Sequence, residues 1–179
     1  MRNLFLVVLG GRVKNCHIEQ HDVRWVIGEH IEETLPTLRN EWIGLKSGLH
    51  IDSYRWIKRI DGHRVTVVDP PPYPQENSNE NKLWFVNLGA YSELSMAEQH
   101  QFGLVVAKNP QQAKESACRR WLKSMSKIHK DDLHSVNQSP TMDDLLPIHG
   151  NGQWSIELTQ ENAEVDSHQH PDWYGYWRI

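Results

Sequence analysis

The sequence predicts an α+β protein: two tandem ββαβ(β)-type repeats packed about an internal pseudo-two-fold, mainly antiparallel sheet with one main helix per repeat. Three observations carry this reading. The apolar run from Leu4 to Leu9 has a mid-chain counterpart from Leu83 to Leu88, and the two end at Gly10 and Gly89. Sliding the chain against itself by 79 positions keeps it in ungapped register to about residue 57, with about a dozen identities in roughly 54 positions. Each copy then passes from alternating apolar residues to an apolar stripe at helical spacing.

The first strand, Leu4 to Leu9, is apolar on both faces, as expected of a central strand covered on both sides. From His21 the pattern alternates, with Val23, Trp25 and Ile27 on one face, and the copy runs from His100 to Ala107. The helix is clearest in the second repeat, where Asn109 is an N-cap, Pro110 takes the first helical position, and Ala113, Ala117 and Trp121 recur every four residues. Ile31, Leu35, Leu38 and Trp42 form the stripe of the first repeat, where Pro36 predicts a kink or a late start. Asp61-Gly62 predicts a two-residue hairpin that sets Ile60 opposite His63, Lys58 opposite Val65 and Trp56 opposite Val67. In the second repeat an insertion around Ser139 to Leu146 precedes an expected hairpin at Gly150-Asn151-Gly152.

The expected boundaries are 1–68 for the first repeat, 69–82 for a proline-rich then polar linker, 83–160 for the second repeat and 161–179 for a C-terminal tail. Trp173, Tyr174, Tyr176 and Trp177 put four aromatics into five residues, which are costly to leave in water. The tail is therefore expected to dock on a groove in its own chain or a partner, and these four are the interface candidates.

Composition narrows the class. The chain has 179 residues, 23% charged and 38% hydrophobic, which excludes wholesale disorder and fibrous architectures. A net charge of −4 with neutral histidines argues against nucleic acid as the main partner. Arg55, Arg59 and Arg64 on one hairpin face are the local exception, read as a solvated face with contact to nucleic acid or an acidic protein as the runner-up; Arg59 is predicted opposite Arg64, unfavourable unless an anion or acidic surface lies between them. Cys16 and Cys118 are too few and too far apart for a disulfide scaffold, so reduced thiols in a cytoplasmic protein are expected. The short run after Met1 is read as a strand and not a leader, and no apolar stretch reaches the roughly 20 residues of a membrane span.

The Leu9-Gly10-Gly11-Arg12 turn, Glu19-Gln20-His21 before a strand, Trp42, His50-x-Asp52 and the Asp61-Gly62 hairpin together resemble the uncharacterised domain-of-unknown-function family DUF1543, in which the domain occurs in one or two copies. The resemblance covers most of the first repeat and the second to about residue 136, and departs where Gly11-Arg12 becomes Ala90-Tyr91. It implies organisation and no activity.

The residues that recur in both repeats are the ligand-binding candidates: Glu19, His21, His50 and Asp52, with Glu98, His100, His129 and Asp131. Carboxylates and imidazoles together suit a divalent metal or an acid/base pair. No HExxH or other zinc pattern occurs, so no metal ligand or cofactor is assigned, and loop fixing is the competing role for the same residues. No Walker A, G-x-S-x-G or G-x-G-x-x-G motif is present. The expected function is a non-enzymatic binding or interaction module for an unidentified small molecule or protein, and a homodimer is expected; a metal-assisted hydrolase using the duplicated Glu/His/Asp set is the alternative.

Overall fold

A computed structural model describes residues 2–70, 80–121, 127–128, 145–148, 150, 152–161 and 170–179. Mainly antiparallel sheets and two α-helices place the chain in the α+β class. It divides into two compact units, Met1–Asp69 with Thr159–Ile179, and Pro70–Leu158. The division leaves the C-terminal segment with the first unit, beyond the repeat that precedes it in sequence.

In the first unit β1 (Asn3–Gly11) pairs antiparallel on one side with β2 (Gln20–Gly28) and on the other with β3 (His50–Trp56). Phe5, Val7 and Leu9 point to one face of β1 and are buried with Leu38, Trp42, Leu49 and Ile51. Alternation at period two puts these three on the same side, and burying each such side chain contributes about 1.5–3 kcal/mol. The stripe beneath starts late, as Pro36 requires: a 3-10 turn over Ile31–Thr34 leads into α1 (Leu35–Glu41), with the proline in its first turn where no intrahelical donor is needed.

The Asp61-Gly62 turn forms with positive φ at both residues, 50° and 72°, joining β4 (Arg59–Ile60) to β5 (His63–Val68). The register is the expected one beside the turn, with Ile60 opposite His63 and Arg59 opposite Arg64, and Val65 N–H donates to the Lys58 carbonyl. Farther out it departs from expectation: Trp56 lies opposite Phe5 of β1. The chain switches sheets between Trp56 and Arg59, with Ile57 N–H anchored on the Leu4 carbonyl at 2.8 Å.

Between the two opposed arginines lies Glu161. Its Oε2 accepts from Arg59 Nε at 2.7 Å and its Oε1 from Arg64 Nε at 2.6 Å, while its own N–H donates to the Gly62 carbonyl at 2.8 Å. The acidic group that the Arg59–Arg64 pair demands is thus supplied by the chain itself. The hydrogen bond from Arg59 holds the Glu161 carboxyl below the usual carboxylate range, against the opposing effect of burial and with a further hydrogen bond from Arg64.

In the second unit β6 (Lys82–Tyr91) pairs antiparallel with β7 (Gln99–Ala107), and Trp84, Val86, Leu88 and Ala90 pack with Ala113 and Ala117 of α2 (Pro110–Arg120). Asn109 caps α2 by accepting from Gln112 N–H at 2.9 Å. On its other side β6 meets β8 (Lys127–Ile128) and β9 (Leu145–Pro147). Among the described residues the expected hairpin at 150–152 has no paired arms: Gln153 N–H donates to the Gly150 carbonyl, but β9 pairs with β6, and the strand after the turn is β10 (Ser155–Gln160), whose last two residues belong to the first unit. A Cβ on Gly150 would fall 2.3 Å from the Trp154 ring, so close aromatic packing accounts for the glycine.

Of the tryptophans assigned to the core, Trp42 and Trp84 are buried and Trp121 packs partly against the second core, while Trp25 is half-buried. Among the described residues no helix is long and apolar enough to cross a membrane.

Replacing Asn109 by Ala should lower stability by about 1 kcal/mol, read from the denaturant midpoint. For Glu161 a depressed folded pKa means that stability is present above the ordinary carboxylate range and lost as pH falls through the depressed value. The gap in melting temperature between the natural chain and Glu161→Gln should therefore narrow on acidification through that window.

Candidate functional site

The site is built around a missing side chain. Gly10, on the central strand, lies directly opposite His21 of β2 and His50 of β3, so the three positions form one row across the sheet on the face opposite the α1 core. A Cβ on Gly10 would fall 2.6 Å from His50 Nε2 and 3.0 Å from Asp52 Oδ2. Only glycine lets the imidazole fold over the strand.

Into this notch come all four candidates of the first repeat. His50 Nε2 lies 3.3 Å from Glu19 Oε1 and 3.2 Å from Asp52 Oδ1, and His21 Nε2 lies 3.2 Å from Asp52 Oδ2. His50 Nδ1 sits 2.9 Å from the Gly48 carbonyl oxygen. All three partners of the His50 ring are oxygen atoms, so both ring nitrogens are engaged. The environments grade from inside out: the His50 side chain is 2% exposed, Asp52 32%, Glu19 40% and His21 56%.

Asp52 reaches its place through a bulge. Val8 pairs with Ser53 and Leu9 with Ile51, so Asp52 is the extra residue of β3 and turns beside His50. The bulge also restores the parity that puts both Ile51 and Tyr54 on the core side. The sequence signals were the His-x-Asp spacing and the repeated glycine, but nothing local marks a bulge.

The tail completes the site. β11 (Trp173–Arg178) adds antiparallel to the outer edge of β3, with Trp173 opposite Tyr54 and Trp177 opposite Ile51. Asp172 fastens its start: its N–H donates to the Tyr54 carbonyl at 2.9 Å and its Oδ2 accepts from Trp56 N–H at 2.6 Å. The four aromatics divide by alternation. Trp173 and Trp177 turn inward and pack against the first core, their rings edge to face at 5.8 Å, while Tyr174 and Tyr176 turn outward. Gly175, at φ 150°, leaves room for the Trp173 ring, which a Cβ would approach to 3.2 Å. Tyr176 stacks on His50 with ring centroids 4.0 Å apart, a contact the sequence did not announce.

The second repeat carries the same start: Gly89 lies opposite His100, and Glu98 Oε2 is 3.6 Å from His100 Nε2. A Cβ on Gly89 would fall 2.1 Å from Glu98 Oε1, so the carboxylate takes the notch that His50 takes in the first. His129 and Asp131 lie outside the described residues. Among the described residues no group of three or more His, Cys, Asp or Glu is arranged to hold a metal ion. Cys16 and Cys118 are free thiols.

Gly10→Ala should displace His50 and cost about 1–3 kcal/mol of stability by overpacking, seen in chemical denaturation and in a shifted His50 ring resonance. Tyr176→Ala should leave the fold intact and raise the reactivity of His50 toward diethyl pyrocarbonate.

Similarity to known proteins adds organisation. Over 99% of this chain and 97% of the other, the structure is similar to the crystal structure of a protein Il1583 from Idiomarina loihiensis, at 29% identity and a TM-score of 0.70. No curated protein matches. The model of the Domain of Unknown Function DUF1543 matches twice, at residues 16–67 and 95–146, the second match beginning 79 positions after the first. The duplication is therefore one of a recognised domain, and the chain belongs to the DUF1543 family.

Proposed function

We propose that the protein is a non-enzymatic binding module whose contact site in the first repeat is the outer rim of the Glu19, His21 and Asp52 cluster, seated on His50. The observation that carries this reading is the engagement of His50: each ring nitrogen already faces an acceptor, so the most buried group of the set serves as a post that orients the carboxylates. A general base needs a lone pair within reach of a substrate proton. The exposed rim offers carboxylate oxygens and one imidazole, which suits a small donor-rich ligand or a partner segment bearing a guanidinium or amide. The internal pseudo-two-fold and a homodimer belong to the same proposal, supported by the 79-residue repeat and by the outward-facing Tyr174 and Tyr176.

One observation favours the second reading, a metal-assisted hydrolase: His50 Nε2 faces two carboxylate oxygens within 3.3 Å, an acceptor-rich point that a cation would also satisfy. Titration with methylguanidine, followed through the ring resonances of His21 and His50, should give saturable shifts that disappear in Asp52→Asn. Hydrolysis of p-nitrophenyl acetate and p-nitrophenyl phosphate with added zinc or manganese should not exceed the buffer rate. Metal-dependent turnover abolished by His50→Ala would overturn the binding-module reading in favour of the hydrolase.

A further inference from the structure

The opposite end of the same sheet carries a second feature. A recess of about 450 Å³ opens beside Phe5, Tyr54 and Trp56 and is bordered by Glu32 and Asp172. A third carboxylate, Glu29, also lines it and has a partner already, and one histidine, His30, is the remaining titratable group besides Tyr54; neither Lys nor Arg is in the lining. The aromatic wall is held in place from behind. Phe5 meets Tyr54 edge to face at 6.2 Å, and Tyr54 stacks on Trp173 at 6.2 Å. Asp172 is fixed by its bonds to the backbone at Tyr54 and Trp56.

We propose that this recess binds an organic ammonium ion with apolar substituents, its charge over the Trp56 and Tyr54 rings and facing Glu32 and Asp172. Aromatic faces attract cations through the ring quadrupole, and nearby carboxylates add to the same field. Trp56 is 39% exposed, which leaves ring surface open to a ligand. Lys58 Nζ lies 3.9 Å from the same ring centroid but does not line the recess, so the ligand has to take indole surface that Lys58 leaves free. Burial first, and then the carboxylates of Glu32 and Asp172, push the Tyr54 phenol above its usual range. The volume is far larger than a bare metal ion needs, and among the described residues no group of three or more His, Cys, Asp or Glu is arranged to hold one, so the occupant is a bulky and weakly hydrated cation.

Choline and its neutral isostere 3,3-dimethyl-1-butanol separate charge from shape. Titrated against the full chain at low salt, choline should give saturable changes in tryptophan fluorescence and in the Trp56 indole resonance, with the isostere weaker by about 10-fold or more. Trp56→Leu should weaken choline about 10-fold, and Glu32→Gln, at an exposed position that the fold does not need, about 2- to 5-fold. His21→Ala should leave choline binding unchanged, which keeps this site distinct from the one proposed above. Equal binding of the two probes, no saturable response to choline, or unchanged affinity in both Trp56→Leu and Glu32→Gln would each overturn the proposal.

Discussion

The first unit depends on the two-sided pairing of β1. Its core side chains Val7 and Leu9 are fully buried, so the strand needs partners on both edges and cover on the core face. β2 and β3 supply the edges, and α1 with Leu38 and Trp42 supplies the cover. The same pairing brings residues far apart in sequence into one row: His21, Gly10 and His50 are neighbours because three strands are in register there. A glycine in the middle of that row is the condition for the charged cluster, since any side chain would take the volume that His50 and Asp52 occupy.

The tail extends this logic outward. β3 would otherwise present an unpaired edge, and β11 covers it, adding two inward tryptophans to the first core. The bulge at Asp52 and the matching irregularity at Gly175 and Tyr176 fall at the same level of the sheet. There the backbone departs from regular pairing, and there Tyr176 lies over His50. One segment thus serves packing on one face and shields the candidate site on the other, while Asp172, the residue before it, borders the aromatic recess at the far end.

Much of this was legible in the residues. The Asn109 cap, the delayed helix at Pro36 and the Asp61-Gly62 turn rest on local chemistry and form as read, whereas the two apolar strands run past the glycines expected to end them, to Gly11 and Tyr91. The opposition of Arg59 and Arg64 followed from the turn alone and called for an anion or acidic surface between them. That the group is Glu161, about a hundred residues away, could not be read, because no local pattern links a carboxylate to a distant hairpin. The pairing of Trp56 failed for a related reason: a hairpin register holds only while both strands stay in one sheet, and β3 leaves to join β1.

By itself the sequence determined the duplication, the class of each principal element and which polar residues recur in both copies. These are local or periodic properties: a 79-residue offset, an alternation, a cap and a turn pair need no knowledge of what packs against them. The tertiary structure alone decided that Glu19, His21, His50 and Asp52 meet over Gly10, that a bulge turns Asp52 toward them, and that Tyr176 lies over His50. The physical reason is that pairing between strands distant in sequence is fixed by the burial of whole faces, and the positions of the polar residues on the other face follow from it.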